Sequence, residues 1–175
     1  MVYLKIPFII MFQNKKILSA IFSSLGAFIC ITFLAFINMK DVSNLWLIPP
    51  FGASMVLVMS VHSSPLAHPK NIFFGHTLSA LSGVMIYFLI GTNPLSIGLA
   101  LGLAIFIMII TNTIHPPAGG NPIIAVMGAK SFDFVILPVA LGAILIIIFS
   151  YLYNRSVGRI YPLKNISKSK RMSKS

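Results

Sequence analysis

The stretch Asn112-Thr113-Ile114-His115-Pro116-Pro117-Ala118-Gly119-Gly120-Asn121-Pro122 gathers an imidazole, two amides and helix-breaking residues inside an otherwise apolar run. Two consecutive prolines remove two backbone N–H donors and clash with a preceding helical turn. Proline is nevertheless welcome in a first helical turn. The spacing therefore predicts a helix ending near Thr113, a break, and a new helix from about Pro117. A second stretch, Pro49-Pro50-Phe51-Gly52-Ala53-Ser54, opens in the same way. A helix starting at Pro50 or Pro117 aims its positive dipole end and unpaired N–H groups into the break, an arrangement that attracts anions. Gly52, Ala53, Gly119 and Gly120 would let backbone approach a ligand closely. Ser54, Asn112, Thr113 and Asn121 add neutral hydrogen-bonding groups.

The four histidines divide into two pairs. His62 and His68 read as polar loop residues; zinc held by His62, His68 and His76 is conceivable, but no cysteine supports it. His76 falls in the expected first turn of an apolar span, and His115 abuts the break. Imidazole carries a proton near neutral pH, and ionisable groups within spans are functional candidates. For His115 the alternative is a hydrogen bond that ties the broken backbone together. The only acids are Asp41 and Asp133, both at expected loop ends. A cation carrier commonly places a carboxylate within the membrane, and carboxylate-pair catalysis needs two positioned acids. Neither pattern is present, so the expected ligand is a small anion or neutral solute, and no enzyme, cofactor or metal site is expected.

The elements holding these residues are membrane helices. Of 175 residues, 57% are hydrophobic and 9% charged, with mean hydropathy +0.95; soluble domains carry about a quarter charged residues. The net charge of +11 does not call for nucleic acid, because the basic residues cluster toward the two ends. Residues 17–37 are long enough to cross a bilayer core of about 30 Å. No small-x-small cleavage pattern follows them, so they read as a retained first span. Residues 1–12 read as a short interfacial helix. Cys30 lies within an apolar run and gives no disulfide framework.

Further apolar runs cover 45–61, 71–90, 95–114, 117–128 and 133–153. The first is interrupted at Pro49-Pro50, and 117–128 is too short to span. Each lies between full-length runs, which gives a twofold repeat of helix, Pro-Pro-broken helix, helix, a pattern that points to a transport site. The fold class is thus an all-α membrane bundle. If the broken helices cross, six crossings place Lys5, Lys15, Lys16, Lys70 and the C-terminal basic residues inside. Only Lys40 and Lys130 then lie outside, and the two halves are inverted. If the broken pieces are re-entrant, four crossings remain and Lys70 moves outside. Both arrangements put both termini in the cytoplasm, consistent with the inner membrane and the positive-inside rule. The expected organisation is a cytoplasmic segment over 1–16, a membrane domain over 17–154 and a basic cytoplasmic tail over 155–175. The Lys/Ser tail from 164 is expected near anionic headgroups. Gly98-x-x-x-Gly102 reads as close helix packing in the bundle, with a homo-oligomer contact as the alternative.

Thr113-Ile114-His115-Pro116-Pro117-Ala118-Gly119 resembles the motif of the HPP family of integral membrane proteins, named for His-Pro-Pro. The resemblance extends to Pro50-Phe51-Gly52-Ala53-Ser54, Ser64-Pro65-Leu66-Ala67-His68-Pro69-Lys70-Asn71, Gly75-His76, Leu78-Ser79-Ala80, and Leu137-Pro138-Val139 with Gly142. It covers nearly all of 17–154. Gly120-Asn121-Pro122 departs from the more usual small apolar run after the motif. Some members carry an appended CBS pair, for which this chain has no room. The family is conventionally given four spans, and some photosynthetic members are associated with nitrite transport; the resemblance thus implies a small-anion substrate. Substrate-binding residues are expected among Asn112, His115, Pro116, Pro117, Gly119, Gly120, Asn121, Pro50, Gly52, Ala53, Ser54 and His76, with lipid as the surrounding partner. The rival expectation is a membrane assembly or binding protein whose Pro-Pro breaks serve only packing.

Overall fold

Proline sets where the helices begin. α2 (Pro49–Ser60), α3 (Pro69–Ile90) and α4 (Pro94–Ile110) each carry it in their first two positions, where the missing N–H is no loss. The computed structural model describes residues 5–41 and 46–163. Within them it is all-helical, with α1 (Lys5–Lys40), α5 (Gly120–Met127) and α6 (Leu141–Ser156) completing the set. The caps differ. His68 accepts from the Lys70 N–H at the start of α3, and Asn93 and Ser96 form a reciprocal capping box on α4.

Among the described residues, three helical stretches are long and apolar enough to cross a membrane: Asn14–Lys40, Pro69–Ile90 and Val135–Ser156. α2 and α4 are shorter apolar helices. α3 and α4 pack along one another, joined by a three-residue link at Gly91–Asn93, so they form an antiparallel pair. α5 lies against both. The core is built from Leu34, Phe51, Met55, Ile72, Val84, Val139 and Ile146, all without exposed surface. Apolar side chains also cover the outside, with Phe28, Leu89, Leu95, Phe106 and Leu152 each more than half exposed. Such a coat suits lipid rather than water.

Several expectations shift. The piece over 1–12 is not a separate helix: from Lys5 it is continuous with α1, and residues 1–4 lie outside the described residues. The tail from 164 also lies outside them. Pro49-Pro50 does not interrupt a helix but begins one, because extended Ile48 (φ −121°, ψ 147°) precedes it. α4 ends at Ile110, earlier than Thr113. Asn112 turns left-handed (φ 53°), and the Thr113 N–H reaches back to the Met108 carbonyl at 2.9 Å. The run 133–153 is not one smooth helix. A wide helical turn covers Val135–Ala140, with Leu137 extended ahead of Pro138. The Gly98/Gly102 stripe does not pack inside the bundle: a Cβ at either position would meet nothing within 4 Å.

At one end the chain after α6 is strapped to the bundle. Arg159 donates to the carbonyls of Met59 and Ser19 and to the Ser23 hydroxyl, and Tyr161 donates to the Ala67 carbonyl at 2.9 Å. Burial, and then the Arg159 charge, hold the His62 pKa below its ordinary value.

Candidate functional site

His115 is extended (φ −138°, ψ 97°) because a proline follows it, and a 3-10 turn over Pro116–Gly119 then leads into α5. The extended residue turns its ring inward, where Gly75 of α3 makes room. A Cβ on Gly75 would lie 2.7 Å from the His115 Cβ. Asn71, one turn earlier on α3, donates its amide to the Ile114 carbonyl at 3.0 Å and pins the break from outside.

The ring of His115 enters a hydrogen-bonded cluster. Its Nδ1 lies 2.8 Å from the Leu66 carbonyl and its Nε2 2.8 Å from Ser54 Oγ. The same Oγ lies 2.7 Å from His76 Nε2 and 3.1 Å from the Pro50 carbonyl. His76 Nδ1 lies 2.9 Å from Asn121 Nδ2, which is also within reach of the His76 carbonyl and Ser79 Oγ. Asn121 Oδ1 is buried without a partner. The two imidazoles meet edge to face with ring centres 4.9 Å apart, and Phe51 presses against His76 at 5.3 Å. Ser54, His76, Ser79, His115 and Asn121 have no exposed surface.

These groups come from four places. α2 brings Ser54 one turn past its Pro-Pro start, and α3 brings His76 and Ser79. The turn at Pro65–Ala67 supplies the Leu66 carbonyl, and the broken segment supplies His115 and Asn121. The two Pro-Pro starts touch, since a Cβ on Gly120 would come within 2.8 Å of Pro50 Cγ. His76 is about two turns into α3 rather than in its first turn.

The expected backbone donors are largely consumed. Pro49, Pro50, Pro116 and Pro117 have no N–H. Phe51 N–H donates to the Ile48 carbonyl, Ala118 N–H to His115 and Gly120 N–H to Pro117. The polar chemistry at this point therefore rests on side chains, with the helix dipoles behind them.

The remaining candidate residues lie around the cluster. Ala53, Pro116 and Pro117 line a groove of about 460 Å³ with Val56, Leu57, Ser60 and Val61. It passes one residue away from both Ser54 and His115. Gly52 faces open space, Gly119 meets only Leu101 Cδ1 at 3.7 Å, and Asn112 is exposed on its left-handed turn. Among the described residues, no three of His, Cys, Asp and Glu come together as metal ligands. Sequence reasoning did not foresee the Leu66 carbonyl or the space at Gly75. Asn71, Ser79 and Gly75 lay within the quoted motifs, but no role was legible for them.

A family model described as the HPP transmembrane region matches residues 12–162. The chain is 36% identical over 151 residues to a transmembrane protein of Dictyostelium discoideum, covering 79% of this chain and 53% of the relative. A second transmembrane protein of that organism is 35% identical over 153 residues, covering 81% and 49%. The chain thus spans about half the length of the curated relatives it matches. No solved structure matches it. With the His-Pro-Pro residues at the inner break and the match running almost end to end, the chain belongs to the HPP family of transmembrane proteins.

Proposed function

We propose that this protein is a transporter or channel for a small anion of the nitrite type, and not an enzyme. The observation that supports this most is the meeting of the two Pro-Pro corners, Pro50 on Gly120, at a buried polar cluster without a carboxylate. Polar groups inside a membrane bundle are costly and are retained where they serve a pathway. In this reading the groove beside Ala53 and Pro116 is the approach. The start of α2 and the Pro116–Gly119 turn must part for an anion to reach Ser54, His115 and Asn121. The two halves are read as inverted repeats with six crossings, both termini cytoplasmic, in the inner membrane. The open Gly98/Gly102 stripe is available to a second copy.

The rival reading is a membrane assembly or binding protein in which the breaks serve packing. The complete burial of the five polar residues Ser54, His76, Ser79, His115 and Asn121 favours it. Purified protein in liposomes separates the two. The transport reading expects nitrite, nitrate or formate to cross faster than in empty vesicles. No flux for any of a panel of small anions would leave the assembly reading.

A further inference from the structure

The hydrogen bonds of the cluster fix where its protons sit. A carbonyl can only accept, so the Leu66 oxygen requires the hydrogen of neutral His115 to be on Nδ1, leaving Nε2 bare. The Ser54 hydroxyl then donates to that bare nitrogen. Ser54 has a single proton, so at its other contact His76 Nε2–H must be the donor. His76 Nδ1 is consequently bare and accepts from the Asn121 amide. Every ring nitrogen is satisfied, and two acceptor positions are left over: the second lone pair of the Pro50 carbonyl, 3.1 Å from Ser54 Oγ, and Asn121 Oδ1, which is buried without a partner.

Those two spare acceptors suit one added proton. Placed on His115 Nε2, it makes an N–H aimed at Ser54 Oγ, and the hydroxyl swings to the Pro50 carbonyl. Placed on His76 Nδ1, it is met by Asn121 Oδ1 once the amide turns over. To pass from one ring to the other, His76 gives its Nε2 proton to Ser54 Oγ while Ser54 gives its own to His115 Nε2. One proton enters, one leaves, and no bond to carbon changes. A second proton is opposed by two cationic rings 4.9 Å apart. Other groups facing the cluster are neutral: the edge of Phe51 from α2, Ser79 from α3, the Leu66 carbonyl, and Asn121 from α5. Among the described residues no carboxylate, Lys or Arg hydrogen-bonds to it.

We propose that His76, Ser54 and His115 together hold one shared excess proton, and that this proton is the co-substrate moved with the anion. The second half rests on the anion reading above; the first does not. Two measurements keep them apart. The first is nitrogen-15 NMR of histidine-labelled protein in nanodiscs across pH, which reads the proton store directly. His76 and His115 are expected to titrate together, taking up one proton between them. Ser54→Ala should split them into separate transitions, and Ser54→Thr, which keeps the hydroxyl, should restore the joint one. Independent titration in the unmodified protein, or no change in Ser54→Ala, would overturn the proposal.

The second is nitrite accumulation in liposomes under an imposed pH gradient, above the background of empty vesicles. One-to-one coupling expects about tenfold accumulation per pH unit, with the dependence lost in Ser54→Ala. Flux that ignores the gradient would refute the coupling and leave the anion reading intact. A shared proton with no flux would do the reverse, retaining the store and removing the anion.

Discussion

At Pro49-Pro50 the chain enters a helix directly, whereas at Pro116-Pro117 it makes a four-residue 3-10 turn before α5 begins at Gly120. The first corner contributes one hydrogen-bonding side chain to the cluster, Ser54, one turn along. The second contributes two: His115 just before the prolines, extended by their sterics, and Asn121 just after the turn. Surroundings differ as well. Gly52 at the first corner has open space around it, but Gly120 at the second is pressed against Pro50. The same dipeptide thus serves in one place as a helix start and in the other as a mount for a buried imidazole.

The comparison can be broken most severely at His115. On the anion reading, His115→Ala abolishes flux in liposomes while helicity and membrane insertion stay unchanged. Flux at the unmodified level would mean that the second corner is only a structural support. A smaller effect is expected at the contact between the corners. Gly120→Val pushes a side chain into Pro50 and should cost about 1–3 kcal/mol, as overpacking does. Gly52→Ala meets nothing within 4 Å and, inside α2, should raise stability by about 0.5–1 kcal/mol. Thermal unfolding in micelles measures both, and equal losses would contradict the asymmetry.

Asn71→Ala removes one amide hydrogen bond to Ile114 at the second corner, a change of about 0.5–1.5 kcal/mol. If it has no effect on unfolding, the outer pin does not hold the break. The smallest effect concerns the strap beyond the first corner's helix. Because the folded state lowers the His62 pKa, the unfolded chain binds more protons as pH falls through the ordinary value of about 6.5. Stability should therefore fall slightly on acidification, and His62→Gln should remove that part of the pH dependence.

Much of this architecture was legible in the sequence for a simple reason. Apolar runs and prolines act locally, so the membrane class, a helix start at the Pro49-Pro50 corner and the broken segment at Pro116-Pro117 follow from rules that need no neighbours. The extended Leu137 within the last run was equally local, yet the apolar pattern passed over it. The site was legible only as a set of residue types. That Ser54 would bridge His76 and His115 depends on α2 packing against the break while its side chains reach His76 of α3, which brings together residues 22 and 61 positions apart. The expectation of free backbone donors failed because proline, which starts these helices, is also the residue that deletes the donors.

A double-mutant cycle between Ser54→Ala and His115→Ala, read as unfolding free energy in micelles, tests directly whether the two corners share one cluster. Residues joined by a buried hydrogen bond should show a coupling of about 0.5–3 kcal/mol, so the double mutant loses less than the two single losses together. Strict additivity would mean that the serine of one Pro-Pro corner and the histidine of the other do not touch.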